Sequence, residues 1–302
     1  LPTIIESAKW PLIEFVGTMP VMEFLTERAE ERYEEFIAAA PNVMIGLDFD
    51  GTLAPIVADP EAATIHPQAP VVLVELARVF PSIAVITGRP VDQVLRLGGL
   101  EAIGQQIVEL GGLLQVFGHY GSQQWTSTGK EIRSSAPPVG LAGFMAELPR
   151  LLAEARTPDA WVEDKGLAVA VHTRRCADPE ESYVRLLPIL ANAALAHGLD
   201  VEPGRKVVEI RLAEMDKGLV VHALAEQDNV NGFCFIGDDL GDLAAFEAVR
   251  ALEERGSATL LVTSVSGEES ALMALADVAV PGPAGVVEFL AKLSSEALKA
   301  AS

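Results

Sequence analysis

Cysteine is scarce in this chain. Only Cys176 and Cys234 occur, far apart, and Cys234 lies in the apolar run Phe233-Cys234-Phe235-Ile236. That excludes a disulfide framework and any zinc-binding spacing, and it predicts buried, reduced thiols in a cytoplasmic protein. Positive charge is short as well: 22 Lys and Arg stand against 43 Asp and Glu, a net charge of −21. Such a field repels nucleic acid and anionic membrane surfaces. A phosphate-bearing ligand would be repelled too, so an anion site here must gather its few cations locally or recruit a metal. Long apolar runs are also missing. No 18-residue apolar stretch is free of charge or proline, so no membrane span is expected. Residues Leu1 to Leu25 are apolar only in patches, interrupted by Glu6, Lys9, Pro11, Glu14 and Pro20, and lack the basic start of a signal peptide. Internal repeats and low-complexity tracts are absent. What remains is a globular chain, half hydrophobic and 302 residues long, enough for one large domain or two medium ones.

The stretch Val43-Met44-Ile45-Gly46-Leu47-Asp48-Phe49-Asp50-Gly51-Thr52 is an apolar strand that delivers two carboxylates one residue apart. Alternation along a strand points Asp48 and Asp50 the same way and Phe49 into the opposite layer. Two like charges side by side repel unless a cation or a shared proton sits between them. Metal-assisted phosphoryl transfer gains from this arrangement: one carboxylate attacks phosphorus, its neighbour handles the leaving-group proton, and Mg²⁺ screens the phosphate oxygens. The plainer alternative is an Asp50-Gly51 hairpin turn on a solvated strand end.

Residues 1–40 read as a helical extension ending in the charged stretch Thr26 to Ile37, whose acidic run predicts a solvated helix face. From Val43 the pattern strand, helix, strand, helix predicts an α/β fold, a doubly wound, Rossmann-like parallel sheet with helices on both faces. A helix is expected near Pro70 to Val79, then a strand Ser82 to Ile86 that ends in Thr87-Gly88-Arg89-Pro90 and opens a helix at Val91. Thr87 is there either a helix N-cap or part of an anion site at the carboxyl end of a strand. Residues 104–120 are expected to carry one or two short strands and reach Gly118-His119-Tyr120-Gly121, with His119 a structural or surface residue.

After Ala136-Pro137-Pro138 the pattern becomes helix, two strands, helix, two strands over residues 139–212, an inserted α+β unit with one sheet face left over. In Leu167 to Arg174 the large apolar residues are odd-numbered, which groups Ala168, Ala170, His172 and Arg174 on the other face. In Lys206 to Arg211, Val208 and Ile210 share one face while Val207, Glu209 and Arg211 share the other. The free face therefore carries His172, Arg174, Glu209 and Arg211, with Lys165, Arg205 and Lys206 at its edges. It is either a solvated face with incidental salt bridges or a concentration of scarce cations. Past Asp216-Lys217-Gly218 the α/β pattern resumes, and Phe233 to Asp242 repeats the opening device: a buried strand emptying into Asp238, Asp239 and Asp242. One acid suffices to cap a helix. Two such strand ends meeting in one sheet would supply oxygen ligands for Mg²⁺.

Taken in order, Asp48-x-Asp50-Gly51-Thr52, Thr87-Gly88-Arg89, Lys217 and Gly237-Asp238-Asp239 with Asp242 resemble the haloacid dehalogenase-type phosphatases. Within them the chain is most similar to the trehalose-6-phosphate phosphatase family. Leu47 to Ile56 with Asp59-Pro60, Val162 to Gly166 leading to His172-Thr173-Arg174, Gly204-Arg205-Lys206 with Glu209-Ile210-Arg211, and Asp216-Lys217-Gly218 carry that likeness over residues 43–290. Gly241 and Leu243 depart from a usual Thr and Glu, and Gln123-Gln124 stand where a Glu is usual.

The resemblance implies a phosphatase core of residues 41–136 and 213–302 and a cap domain of residues 137–212. It implies that Asp48 attacks phosphorus to form an aspartyl phosphate, and that Asp50 protonates the departing sugar oxygen and later activates water. Mg²⁺ is expected on Asp48, Asp238 and a backbone carbonyl at Asp50. Thr87 and Lys217 are expected on the phosphoryl oxygens, Gly88 and Arg89 at the phosphate, and Asp239 and Asp242 behind them. Glu163, Lys165, His172, Arg174, Lys206 and Glu209 are expected to bind the sugar. Trehalose 6-phosphate is the expected substrate, with sucrose phosphate or a glycosylglycerate phosphate as alternatives. The competing class is a non-catalytic sugar-phosphate sensor that regulates a trehalose-phosphate synthase partner through residues 1–40.

Overall fold

The computed structural model describes residues 22–57, 59–204, 206–212, 216–265 and 272–301. Glu23–Phe24 (β1) and the helix Ala29–Ala38 (α1) open the described chain. Next come Val43–Leu47 (β2), apolar on both faces and buried throughout, Ala69–Leu76 (α2) and Ser82–Ile86 (β3). Val91–Gly98 (α3), Leu100–Glu109 (α4), Leu113–Gly118 (β4), Gln123–Thr126 (β5) and Arg133–Ser134 (β6) follow. Then Leu141–Glu154 (α5), Trp161–Asp164 (β7), Val169–His172 (β8), Pro179–Ala196 (α6), Asp200–Gly204 (β9) and Val207–Arg211 (β10) build a second unit. Lys217–Ala225 (α7), Gly232–Gly237 (β11), Leu243–Glu253 (α8), Ala258–Val265 (β12), Val278–Pro281 (β13) and Gly282–Ala300 (α9) return to the first.

The main sheet has nine strands in the order β1-β13-β12-β11-β2-β3-β4-β5-β6. Strands β13 through β4 in that order run parallel to their neighbours, and β1, β5 and β6 are antiparallel edges. β2 therefore has a parallel strand on each side, which rules out a hairpin at Asp50-Gly51. Its register aligns Leu47 with Ile236 of β11 and with Val85 of β3, and the Asp48 N–H donates to the Ile236 carbonyl at 2.9 Å. Three strands thus finish level, so the residues that follow them emerge at one edge. Alternation sends Ile45, Leu47 and Phe49 into a core beneath α1, α2, α3, α4 and α9, and Met44 with Phe233 and Phe235 into a second core beneath α7 and α8.

Residues 22–38 have more than a solvated face, because α1 also packs on the main core. Ala29, Tyr33 and Phe36 recur at helical spacing and are buried, and each of the two aromatics contributes roughly 2 kcal/mol by leaving water. Arg32 points inward as well, donating to Asp277 Oδ1 at 2.7 Å and Glu253 Oε1 at 2.7 Å, while β1 pairs with β13. The acidic run does line the outer face; what the charge count concealed was the apolar stripe behind it. Residues 1–21 lie outside the described residues. In residues 104–120 the strand expectation is met by β4, but Gly104 to Glu109 completes α4, because Leu100, Ile103 and Ile107 repeat at helical spacing and are buried.

Residues 141–211 form a four-stranded antiparallel sheet in the order β7-β8-β10-β9. Helices α5 and α6 cover one face, and Leu148, Leu190, Val169, Val171, Val208 and Ile210 meet in its own hydrophobic cluster. The parity predicted for β8 and β10 holds: the odd residues of β8 and the even residues of β10 face those helices. The other face is turned toward the carboxyl edge of the main sheet.

Candidate active site

Between that edge and the open face of the small sheet lies a cavity of about 1160 Å³. Its floor is built by backbone. Asp48 and Asp50 follow β2, Thr87 follows β3, Asp238 follows β11, and Lys217 is the first residue of α7, whose start is capped by Asp216 accepting from the Leu219 N–H at 2.8 Å. Lys217 Nζ donates to Asp48 Oδ1 at 2.5 Å and to Asp242 Oδ1 at 2.6 Å, and the three residues are at most 5% exposed. Burial works against the ammonium charge, but Asp242 and Asp48 outweigh it and hold Lys217 well above its ordinary pKa.

Acids outnumber cations in this group. One ligand oxygen each from Asp48, Asp238 and Asp242 lies within 4.8 Å of the others. Burial first, then repulsion from Asp48, Asp239 and Asp242, pushes Asp238 up to about 9; burial likewise raises Asp48 and Asp242 against the pull of Lys217. An all-carboxylate cluster with surplus negative charge fits a hard divalent cation such as Mg²⁺. Gly51 makes the approach possible. Its φ is +73°, and a Cβ there would stand 1.9 Å from Asp238 Oδ2; its carbonyl accepts from Ser264 Oγ at 2.6 Å.

Asp50 is placed differently from Asp48. Its carboxylate takes a two-pronged ion pair from Arg89, Nε to Oδ2 at 2.5 Å and Nη2 to Oδ1 at 2.7 Å, while Arg89 Nη1 donates to the Pro60 carbonyl at 2.8 Å. The Asp50 side chain thus faces Arg89, and the third carboxylate of the cluster is Asp242, which the sequence reading had put behind the metal. Thr87 is buried, its hydroxyl accepting from the Arg89 N–H at 3.2 Å, and it does not cap α3. That duty falls to Gln123, whose Oε1 accepts from the Val91 N–H at 2.9 Å, which gives one of the two departing glutamines a structural role. Asp239 and Asp242 form a capping box around the short turn Leu240–Asp242, so Asp242 serves a cap and the cluster together.

The roof brings together all six residues expected for a sugar: Glu163, Lys165, His172, Arg174, Lys206 and Glu209 line the cavity. Lys165 Nζ donates to Glu209 Oε2 at 2.6 Å, His172 Nε2 lies 2.9 Å from Glu163 Oε2, and Lys206 Nζ lies 3.1 Å from Glu180 Oε1. The hydrogen bond from His172 draws Glu163 below its ordinary value, against burial. Glu209 Oε1 is buried without a hydrogen-bond partner among the described residues, an acceptor open to a ligand hydroxyl. Arg205 lies outside the described residues. Arg211 is absent from the lining; it pairs with Glu202 at 2.7 Å and stacks on Tyr120, 4.6 Å from the ring centroid.

Tyr120, Arg89 as the partner of Asp50, and Gln123 as a cap were not foreseen. The one sequence signal for Tyr120 was its place two residues past β4, at the same edge as the other strand ends. His119 is buried at the seam, neither ring nitrogen has a hydrogen-bond partner among the described residues, and burial followed by the Lys165 charge lowers it to about 4, so the imidazole is neutral near pH 7.

The trehalose-phosphatase family pattern matches residues 46–105 and 151–281. A protein of Arabidopsis thaliana named "Probable trehalose-phosphate phosphatase I" is 30% identical over 88% of this chain and 71% of its own length. "Trehalose-phosphate phosphatase" of Mycobacterium avium is 30% identical over 82% of this chain and 61% of its own. Among solved structures, the C-terminal domain of the C. albicans trehalose-6-phosphate phosphatase superposes with a TM-score of 0.71 at 20% identity, covering 90% of this chain and 98% of that one.

Proposed function

Given that the chain belongs to the trehalose-phosphatase family, and is thereby a phosphoric monoester hydrolase, we propose that it hydrolyses trehalose 6-phosphate to trehalose and phosphate with Asp48 as nucleophile. The observation that carries the reading is the buried Lys217–Asp48–Asp242 set at the open end of the sheet, facing a roof of paired acids and bases. The chain divides for this work into a core, residues 41–136 and 213–302, and a cap domain, residues 137–212.

Lys217 holds Asp48 Oδ1, which leaves Oδ2 free to attack phosphorus in line. The bond from phosphorus to the sugar oxygen breaks as the Asp48–phosphorus bond forms. Asp50 gives its proton to that leaving oxygen, and in the second half takes one from the water that hydrolyses the aspartyl phosphate. The arriving phosphate competes for Arg89, and as the guanidinium turns toward it the Asp50 carboxylate is released from its ion pair and takes up the proton of the monoanionic ester, which it passes to the leaving oxygen; the proton it later takes from water leaves with the released phosphate. Lys217, the Thr87 hydroxyl, the backbone N–H of Gly88 and the Arg89 guanidinium receive the phosphoryl oxygens. Asp48, Asp238 and Asp242 would hold Mg²⁺, which when bound supplies charge neutralisation to those oxygens.

Glu209, Lys165, Glu163 and Arg174 receive the sugar hydroxyls, and the cap shields the reacting phosphate from bulk water. The experiment is a substrate panel for phosphate release by Mg²⁺-loaded protein, with a chelator control. Trehalose 6-phosphate is expected to lead, well ahead of glucose 6-phosphate. A panel led by sucrose phosphate or a glycosylglycerate phosphate would move the substrate assignment, and ligand binding without any phosphate release would favour the sensor.

A further inference from the structure

Resting on that reading, we propose that Tyr120 is a positioning residue that couples seating of the cap to the phosphate loop Thr87-Gly88-Arg89. Tyr120 bridges the two units. On the loop side the hydroxyl end of its ring closes on Gly88: a Cβ built there would be 2.7 Å from the Tyr120 hydroxyl oxygen and 2.8 Å from Cζ. The backbone repeats the contact, since the Tyr120 N–H donates to the Thr87 carbonyl at 3.1 Å and the His119 N–H to the Arg89 carbonyl at 3.0 Å. On the cap side the ring carries the Arg211 guanidinium 4.6 Å from its centroid. Arg211 is the last residue of β10, the strand that also bears Glu209, and Glu202 of β9 holds it at 2.7 Å.

The backbone beneath the ring is unusual. His119 and Tyr120 are consecutive non-glycine residues in the left-handed region, at φ +48° and +56°. Such conformations persist where surrounding contacts hold them, and they gather at clamps and switches. The ring is half-buried, and a cation over an aromatic face shielded from water is held more firmly than one over an exposed ring. Seating the cap therefore presses Arg211 onto Tyr120, and Tyr120 onto the loop that receives phosphate. Lifting the cap removes the cation, and the loop loses its brace. Tyr120 also lines the cavity beside Thr87 and Gly88, so sugar recognition and phosphate positioning are then one event, transmitted through its ring.

The test compares Tyr120→Phe, Tyr120→Leu, Arg211→Met and the double variant Tyr120→Leu/Arg211→Met on trehalose 6-phosphate and on an aryl phosphate, with thermal midpoints recorded. Tyr120→Leu and Arg211→Met are each expected to lower kcat/KM for trehalose 6-phosphate about tenfold, chiefly in kcat, and to lower the aryl phosphate value less. Tyr120→Phe keeps the aromatic face and should stay within about threefold of the wild type. The double variant should lose no more than the worse single one. A second readout needs no turnover: trehalose should slow exchange of the Gly88, Arg89 and Val91 amides in the wild type and fail to do so in Arg211→Met. Multiplying losses, a Phe variant as impaired as Leu, equal losses on both substrates, or unchanged exchange protection in Arg211→Met would each overturn the coupling. A wild type silent on every phosphate ester would instead overturn the phosphatase reading on which it rests.

Discussion

In the floor of the cavity Asp48, Lys217 and Asp242 are 5%, 4% and 0% exposed and stand on strand ends and helix starts. In the roof Lys165, His172 and Lys206 reach out from a sheet on long or rotatable side chains, with side-chain exposures of 14%, 13% and 30%. The floor cannot exchange partners without stranding a buried ion, which makes it rigid and suited to chemistry that needs reacting atoms held in place. The roof pairs are graded, from Lys206–Glu180 at 30% and 73% side-chain exposure to Lys165–Glu209 at 14% and 9%, so a sugar hydroxyl can replace a carboxylate partner at small cost in the former, while the latter stays paired. Reaction and selection are thus served by different physics on opposite walls.

The sharpest way to test that division is Asp48→Asn. The substitution keeps the shape but removes the attacking oxygen's charge, and turnover of sugar and aryl phosphates alike should fall by about 10⁴ or more in steady-state phosphate release. Nearly equal turnover would put the nucleophile elsewhere. Gly51→Ala attacks the same wall through backbone. A methyl group 1.9 Å from Asp238 Oδ2, at φ +73°, must displace that carboxylate, so affinity for Mg²⁺ measured by calorimetry should drop about tenfold to a hundredfold.

On the roof, Glu209→Ala should lower kcat/KM for trehalose 6-phosphate about a hundredfold, at least ten times more than for an aryl phosphate. Equal losses would mean that the roof serves folding or closure rather than selection. The smallest catalytic effect is expected from Arg32→Met, which touches neither wall. It leaves the fully buried Asp277 with Arg250 and the Leu261 N–H, and stability in urea should fall by about 2 kcal/mol while the sugar-to-aryl ratio of kcat/KM stays constant. Burial would raise Glu253, but the Arg32 and Arg250 hydrogen bonds outweigh it and hold its carboxyl below its ordinary 4.5. A carboxyl with a depressed folded pKa contributes stability above its unfolded value that is lost as pH falls through the folded one. The wild type should therefore lose more stability than Arg32→Met as pH is lowered from about 4.5.

The sequence by itself determined what depends on order and alternation. The apolar run Val43 to Leu47 read as a strand, and period-two alternation aimed Asp48 and Phe49 at opposite layers. Parity in β8 and β10 told the core face of the small sheet from the open one, because a pleated strand has only two faces. The α/β architecture and the family likeness followed from the same local signals. What the tertiary structure decided was which charged groups meet. Five acids crowd the ends of β2 and β11, and nothing in their spacing says that Lys217 pairs with Asp48 and Asp242 while Arg89, 39 residues from Asp50, takes that carboxylate. The inward turn of Arg32 out of an acidic helix toward Asp277, 245 residues away, was equally illegible. Tyr120 became visible only once β3, β4 and β10 had been brought side by side, since its role lies in two neighbours, Gly88 and Arg211, distant from it along the chain. Local sequence specifies the direction in which a side chain leaves the backbone; the register of a folded sheet specifies what it meets there.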